Sequence, residues 1–254
     1  MHEHGKERRA RTVSFSGIDG AGKSSQIRSL QLRLKESGLG AELVMFWNDV
    51  AQLTRFREAA GHTLFRGDRG VGTPAAPINR RDKNVKSWPM TGVRLFLYFV
   101  DAISVRISVA KAKRRDVDLA IFDRYIYDEL ANLTIPNPLI RAYIRLIMKL
   151  VPRPDISFLL DADPFQARGR KPEYSLDFLI ANRKSYLALS DLIGGFTVIA
   201  PMPIPEVERE IFERALKLFP LKKSGRNECG ETSSTGENRD PAVMDEPYTR
   251  PAAS

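Results

Sequence analysis

Residues 15 to 26 read FSGIDGAGKSSQ, and Gly17, Gly22, Lys23 and Ser24 fall on the spacing G-x-x-x-x-G-K-[ST]. A short apolar run, TVSF, precedes the loop, and Ile27, Leu30 and Leu34 recur at helical spacing after it. The segment therefore predicts strand, glycine turn and helix in succession. A phosphate chain can lie against backbone N–H groups only where side chains are absent, and Gly17, Gly20 and Gly22 meet that need. The helix that follows turns its N-terminal amides and partial positive charge toward the anion. Lys23 adds a full charge near the β- and γ-phosphates, and the Ser24 hydroxyl is a ligand for Mg²⁺. A nucleoside triphosphate with Mg²⁺ is the expected occupant, bound by Gly17, Asp19, Gly20, Ala21, Gly22, Lys23, Ser24 and Ser25. The carboxylate of Asp19 would be repelled by a polyphosphate unless metal or a substrate hydroxyl lay between them. It is read as a contact to metal or acceptor, with turn formation as the alternative.

Strand and helix patterns alternate through the rest of the body, residues 11–221. AELVMFW, VDLAIFD, DISFLLDAD and FTVIA read as further strands. Helices are expected over 92–115, 138–151, 175–193 and 205–219. Short apolar strands separated by helices predict an α/β fold, a parallel sheet covered by helices on both faces. Residues 1–10 are charged and aperiodic and are read as a flexible arm. Residues 222–254 are polar and rich in breakers and are read as a disordered tail.

Composition narrows the function classes. No apolar run nears the roughly 18 residues of a membrane span, and the N-terminus is charged where a signal peptide is apolar, so the chain is expected to be cytoplasmic with no membrane partner. The single cysteine, Cys229, and three histidines offer no disulfide framework and no thiolate or imidazole metal site. The net charge of +9 is concentrated: nine bases against three acids lie between Leu53 and Arg94. This basic insert, about 53–92, suits a phosphate-bearing partner or is a solvated loop. It has few interleaved aromatics, Phe56, Phe65 and Trp88, which argues against nucleic acid as the partner. Phe56 is a candidate contact to an acceptor base, and Arg94 and Asp101, on the long helix, are candidate acceptor contacts or helix-surface charges.

Two more charged clusters follow strand ends, where parallel sheets form their ligand crevice. LAIFDRYIYDEL ends an apolar strand with Asp123 and Arg124. Asp123 would face the Mg²⁺ at Ser24, and Arg124 could clamp a second phosphate group. DADPFQARGRKPEY places Arg168, Arg170 and Lys171 after the fourth strand, where cations would neutralise charge on a transferring phosphoryl group.

These clusters, in this order, resemble the thymidylate kinase family of P-loop nucleoside monophosphate kinases. FSGIDGAGKSSQ looks like the family's phosphate loop, FDRYIYDELA like its aspartate–arginine–aromatic motif, and RPDISFLLDADPFQARGR like its fourth strand and arginine-bearing lid. The resemblance implies the P-loop NTPase three-layer fold with a five-stranded parallel sheet. It also implies Mg-ATP as donor, a nucleoside monophosphate as acceptor, a lid over about 164–174, and a homodimer. Carried over by position, Lys23, Arg124, Arg168 and Arg170 are the catalytic residues. Ser24 and Asp123 attend the metal, and Asp19 and Arg124 the acceptor. After the second strand the family has an arginine–glutamate–proline–glycine–glycine stretch; here the text is VMFWNDVAQLTRF. In the central helix the family's arginine position falls in FVDAIS, at Asp101 and Ala102. Two other readings stand beside this one: a deoxynucleoside kinase using Asp49 as base, and an ATP-binding switch docking an anionic partner through the insert.

Overall fold

Each strand's side-chain alternation matches a helix layer on either side of the sheet. The computed structural model describes residues 9–46 and 88–219. The strands are β1 (Arg11–Ser16), β2 (Ala41–Met45), β3 (Leu119–Asp123), β4 (Ile156–Leu160) and β5 (Phe196–Ile199). All pair in parallel, in the order β2-β3-β1-β4-β5.

The described helices are α1 (Lys23–Glu36), α2 (Trp88–Ala112), α3 (Ile126–Leu130), α4 (Pro138–Leu150), α5 (Pro164–Arg170), α6 (Leu176–Ile193) and α7 (Ile204–Leu216). Val13, Phe15, Leu119, Ile121 and Phe158 pack against Ile27, Leu30 and Leu34 of α1 and Ile211 of α7. The alternate positions Ala120, Phe122 and Leu159 pack against α2, α3, α4 and α6 through residues such as Val105, Ile126, Ile144 and Leu189. The expected five-stranded parallel sheet with helices on both faces is therefore the observed architecture.

The differences lie at element ends. The long helix begins at Trp88, not Gly92, and strand β4 stops at Leu160, short of Asp163. Most of the segment read as a lid, 164–174, is helix α5. Pro164 opens it, and the Asp163 carboxylate caps it by accepting from Gln166 N–H at 3.0 Å. Helix α3 is too short to show a period and was not expected. Most of the arm, most of the basic insert and the tail lie outside the described residues, as do Phe56 and Asp49.

Candidate active site

The glycine loop leaves β1 at Ser16 and enters α1 at Lys23. Gly20 and Gly22 have φ of +82° and +89°, a left-handed backbone that costs other residues about 1–2 kcal/mol. Gly22 occupies the N-cap of α1 and supplies no side-chain cap. Among the described residues no protein acceptor takes the amides of Gly22, Lys23, Ser24 or Ser25. Four donors thus point from a helix start with nothing to bond, which is the arrangement an anion requires. The Lys23 ammonium is buried against the loop and donates to the carbonyls of Gly17 at 2.8 Å and Ile18 at 3.0 Å. Burial, then repulsion from Arg124, depress its pKa to about 8, against the attraction of Asp128, Asp19 and Asp123.

Strand order supplies the second half of the site. Because β3 lies beside β1, Phe15 is level with Asp123, and the turn after β3 opens onto the loop. Arg124 takes φ +73° in that turn, and its N–H donates to Phe15 O at 3.1 Å. Its guanidinium reaches the loop, with Nη2 2.5 Å from Asp19 Oδ1. Burial alone would raise the Asp19 pKa, but Arg124 and then Lys23 hold it down at about 2. Burial raises the pKa of Asp123, with Arg124 and Lys23 opposing.

Asp128, in the first turn of α3, was not singled out in the sequence. Its buried carboxylate accepts from Ser16 Oγ at 2.8 Å, Tyr125 N–H at 3.0 Å and Tyr186 OH at 2.7 Å. It also lies 3.7 Å from Arg124 Nη1. A second unforeseen pair joins the residue after β4 to α6: Arg183 donates Nε and Nη2 to the two oxygens of Asp161, at 2.5 and 2.7 Å. The only sequence sign of Asp128 is an acid three residues after the residue that opens a short helix, which usually marks a cap.

Helix α5, in the segment read as a lid, touches the loop. Ala167 packs so closely over Gly20 that a Cβ there would stand 2.2 Å from the Ala167 carbonyl oxygen. Arg168 and Arg170 fall in the last turn of α5, and among the described residues neither forms a hydrogen bond or ion pair. Lys171 pairs with Glu173 at 3.3 Å, and its charge reaches Asp19.

A triphosphate with Mg²⁺ fits these donors. The unclaimed amides and the Lys23 ammonium suit the phosphates. Ser24 is exposed beside them, and Asp19 and Asp123 bring carboxylates to the same mouth. Mg²⁺ is commonly held by one or two protein oxygens together with substrate phosphates.

No protein-family model matches the chain. Curated relatives do. "Probable thymidylate kinase" of Pyrobaculum aerophilum is 26% identical over 224 residues, covering 83% of this chain and 98% of the relative. "Probable thymidylate kinase" of Methanosphaera stadtmanae is 23% identical, covering 82% and 99%. "Thymidylate kinase" of Prochlorococcus marinus is 27% identical, covering 84% and 96%. The chain is thus similar to thymidylate kinases over more than four-fifths of its length.

Of the residues expected for a thymidylate kinase, Lys23, Asp19, Asp123 and Arg124 converge at the ends of β1 and β3. Arg168 and Arg170 sit on the helix that packs on the loop. Asp101 is buried on α2, not a surface charge, and its negative charge helps burial raise the Tyr143 pKa on α4. Arg94 is partly buried on the same helix.

Proposed function

We propose that this protein transfers the γ-phosphoryl group of Mg-ATP to dTMP, yielding dTDP and ADP. The observation that carries this reading is the Asp19–Arg124 contact, which joins a triphosphate loop to a second phosphate-binding cation. The thymidylate kinases to which the chain is similar supply the acceptor.

An oxygen of the dTMP phosphate forms the new bond to the γ-phosphorus as the bond to the β,γ-bridging oxygen breaks. The electron pair leaves with ADP. Such a reaction asks the protein mainly for alignment and charge. Lys23 exchanges the Gly17 and Ile18 carbonyls for β- and γ-phosphate oxygens. The amides from Gly22 to Ser25 take the phosphate chain. Arg124 holds the dTMP phosphate in line, and Asp19 keeps Arg124 over the loop. Arg168 and Arg170 close from α5 onto the transferring group. Ser24 and Asp123 would hold Mg²⁺, which would offset the charge of the phosphates. Arg94, Asp101 and Phe56 belong to the acceptor side of this reading.

We further assign a homodimer formed through α2, whose residues Val93, Phe96, Phe99, Ile103 and Ile107 expose an apolar stripe at helical spacing. Among the described residues no helix is long and apolar enough to cross a membrane, and we assign the protein to the cytoplasm.

A coupled ADP-release assay over a panel of nucleoside monophosphates, with thymidine as control, tests the reaction. Turnover with dTMP and not with thymidine is expected. No stimulation by any monophosphate would overturn the proposal, and turnover with thymidine alone would replace it with the nucleoside-kinase reading.

A further inference from the structure

We propose that Asp128 is a positioning residue for the acceptor site: its carboxylate keeps the Arg124 guanidinium turned toward the acceptor phosphate instead of collapsed onto Asp19. The inference rests on the proposed function and adds a residue to it.

Three elements meet at this carboxylate. Ser16 is the last residue of β1, directly before the phosphate loop, and bonds Oδ2. Tyr125, directly after Arg124, donates its N–H to the same oxygen. Tyr186, on the helix that follows the lid, donates to Oδ1. A carboxylate offers about four acceptor positions, so these three bonds leave Oδ1 one free direction, and Arg124 Nη1 lies 3.7 Å from it. The Asp128 side chain is 3% exposed, so its charge needs a counter-charge, and Arg124 and Lys23 supply it.

The geometry at Arg124 is two-sided. Asp19 holds Nη2 and Asp128 faces Nη1, so Asp19 alone does not capture both edges of the guanidinium. The donors left over remain available to a phosphate. The backbone is held in the same way. The left-handed turn at Arg124 is tied in front by its own N–H on Phe15 O and behind by Tyr125 N–H on Asp128. Neither function needs Asp128 to touch substrate.

Asp128→Asn separates charge from shape. The amide oxygen still accepts from Ser16 and Tyr125, and Tyr186 can rotate its hydroxyl to accept from the amide. The charge facing Arg124 is lost, and with it the acceptor oxygen on that side. Arg124 then pairs with Asp19 by both edges, and acceptor phosphate has to compete for it. The KM for dTMP is expected to rise about tenfold, with the KM for ATP within about twofold of the unaltered protein. In an Arg124→Ala background, Asp128→Asn should change the dTMP KM no further, whereas a purely structural role would act alike in both backgrounds. The double variant removes both partners of the pair together, so its comparison with Arg124→Ala decides the matter even if Asp128→Asn alone fails to fold. An unchanged dTMP KM in Asp128→Asn, an equal rise in both KM values, or a further rise in the Arg124→Ala background would overturn the inference while leaving the kinase reading intact. No dTMP turnover by the unaltered protein would overturn both.

Discussion

Arg124 closes the turn after β3 onto the loop after β1, its Nη2 2.5 Å from Asp19 Oδ1. The contact is partly buried, with the Asp19 side chain 19% exposed, so solvent screens it only weakly. It joins the turn after β3 to the loop after β1, the two halves of the proposed phosphate site, and it makes that region's behaviour depend on pH.

Asp19 ionises at about 2 in the folded protein, below the ordinary 3.8. A depressed carboxyl stabilises the fold above its unfolded pKa and loses that contribution as pH falls through the folded one. Stability should therefore fall between about pH 4 and pH 2, with Asp19 accounting for on the order of 2 kcal/mol. Urea denaturation of the unaltered protein and Asp19→Asn across that range checks this. Parallel pH profiles for the two would contradict it.

Lys23 gives the same sign of pH dependence in a higher window, although its neutral-pH effect on the ligand-free fold is unfavourable. Its folded pKa of about 8 is below the unfolded 10.5, so the ligand-free fold should gain stability as pH rises through that window. The proposed triphosphate site requires the charged ammonium. ATP should therefore take up a proton near pH 8, and its affinity should weaken by up to about tenfold per unit above it. Titration calorimetry in two buffers of different ionisation heat measures the uptake, and Lys23→Met should abolish it.

Gly20→Ala tests the contact between loop and lid. The new methyl would meet the Ala167 carbonyl, and the residue already sits at φ +82°. Strain and overpacking together should cost about 2–4 kcal/mol. Thermal unfolding reads the loss. Because α5 must withdraw, turnover should fall more steeply than ATP affinity.

Arg168 and Arg170 form no hydrogen bond or ion pair among the described residues, so removing either should leave stability within about 0.5 kcal/mol. Each Ala variant should nevertheless lower kcat by about 10²-fold or more, since such cations act on charge that develops in transfer. A kcat near that of the unaltered protein would remove that arginine from the chemistry.

Phe96, 64% exposed, is the most exposed residue of the α2 stripe. Phe96→Glu should convert a dimer to a monomer in sedimentation at micromolar concentration while leaving the fold unchanged. A monomer before substitution would dismiss this interface.

The sequence by itself determined the local chemistry of this protein. Glycine spacing, the lysine and serine behind it, and the period-two apolar strands are properties of neighbouring residues, so the loop, the alternating elements and the acidic strand end at Asp123 were legible. Two short helices were not, because α3 and α5 span less than two full helical repeats. The tertiary structure decided who meets whom. Placing β3 beside β1 brings Asp128 to Ser16 across 112 positions and Arg124 to Asp19 across 105. It also buried Asp101 and bound Asp161 to Arg183. A charge's partner depends on strand order and burial, which no local pattern encodes. Asp128 therefore reads along the chain as an ordinary helix-capping acid and becomes the hub of the site only when the sheet is assembled.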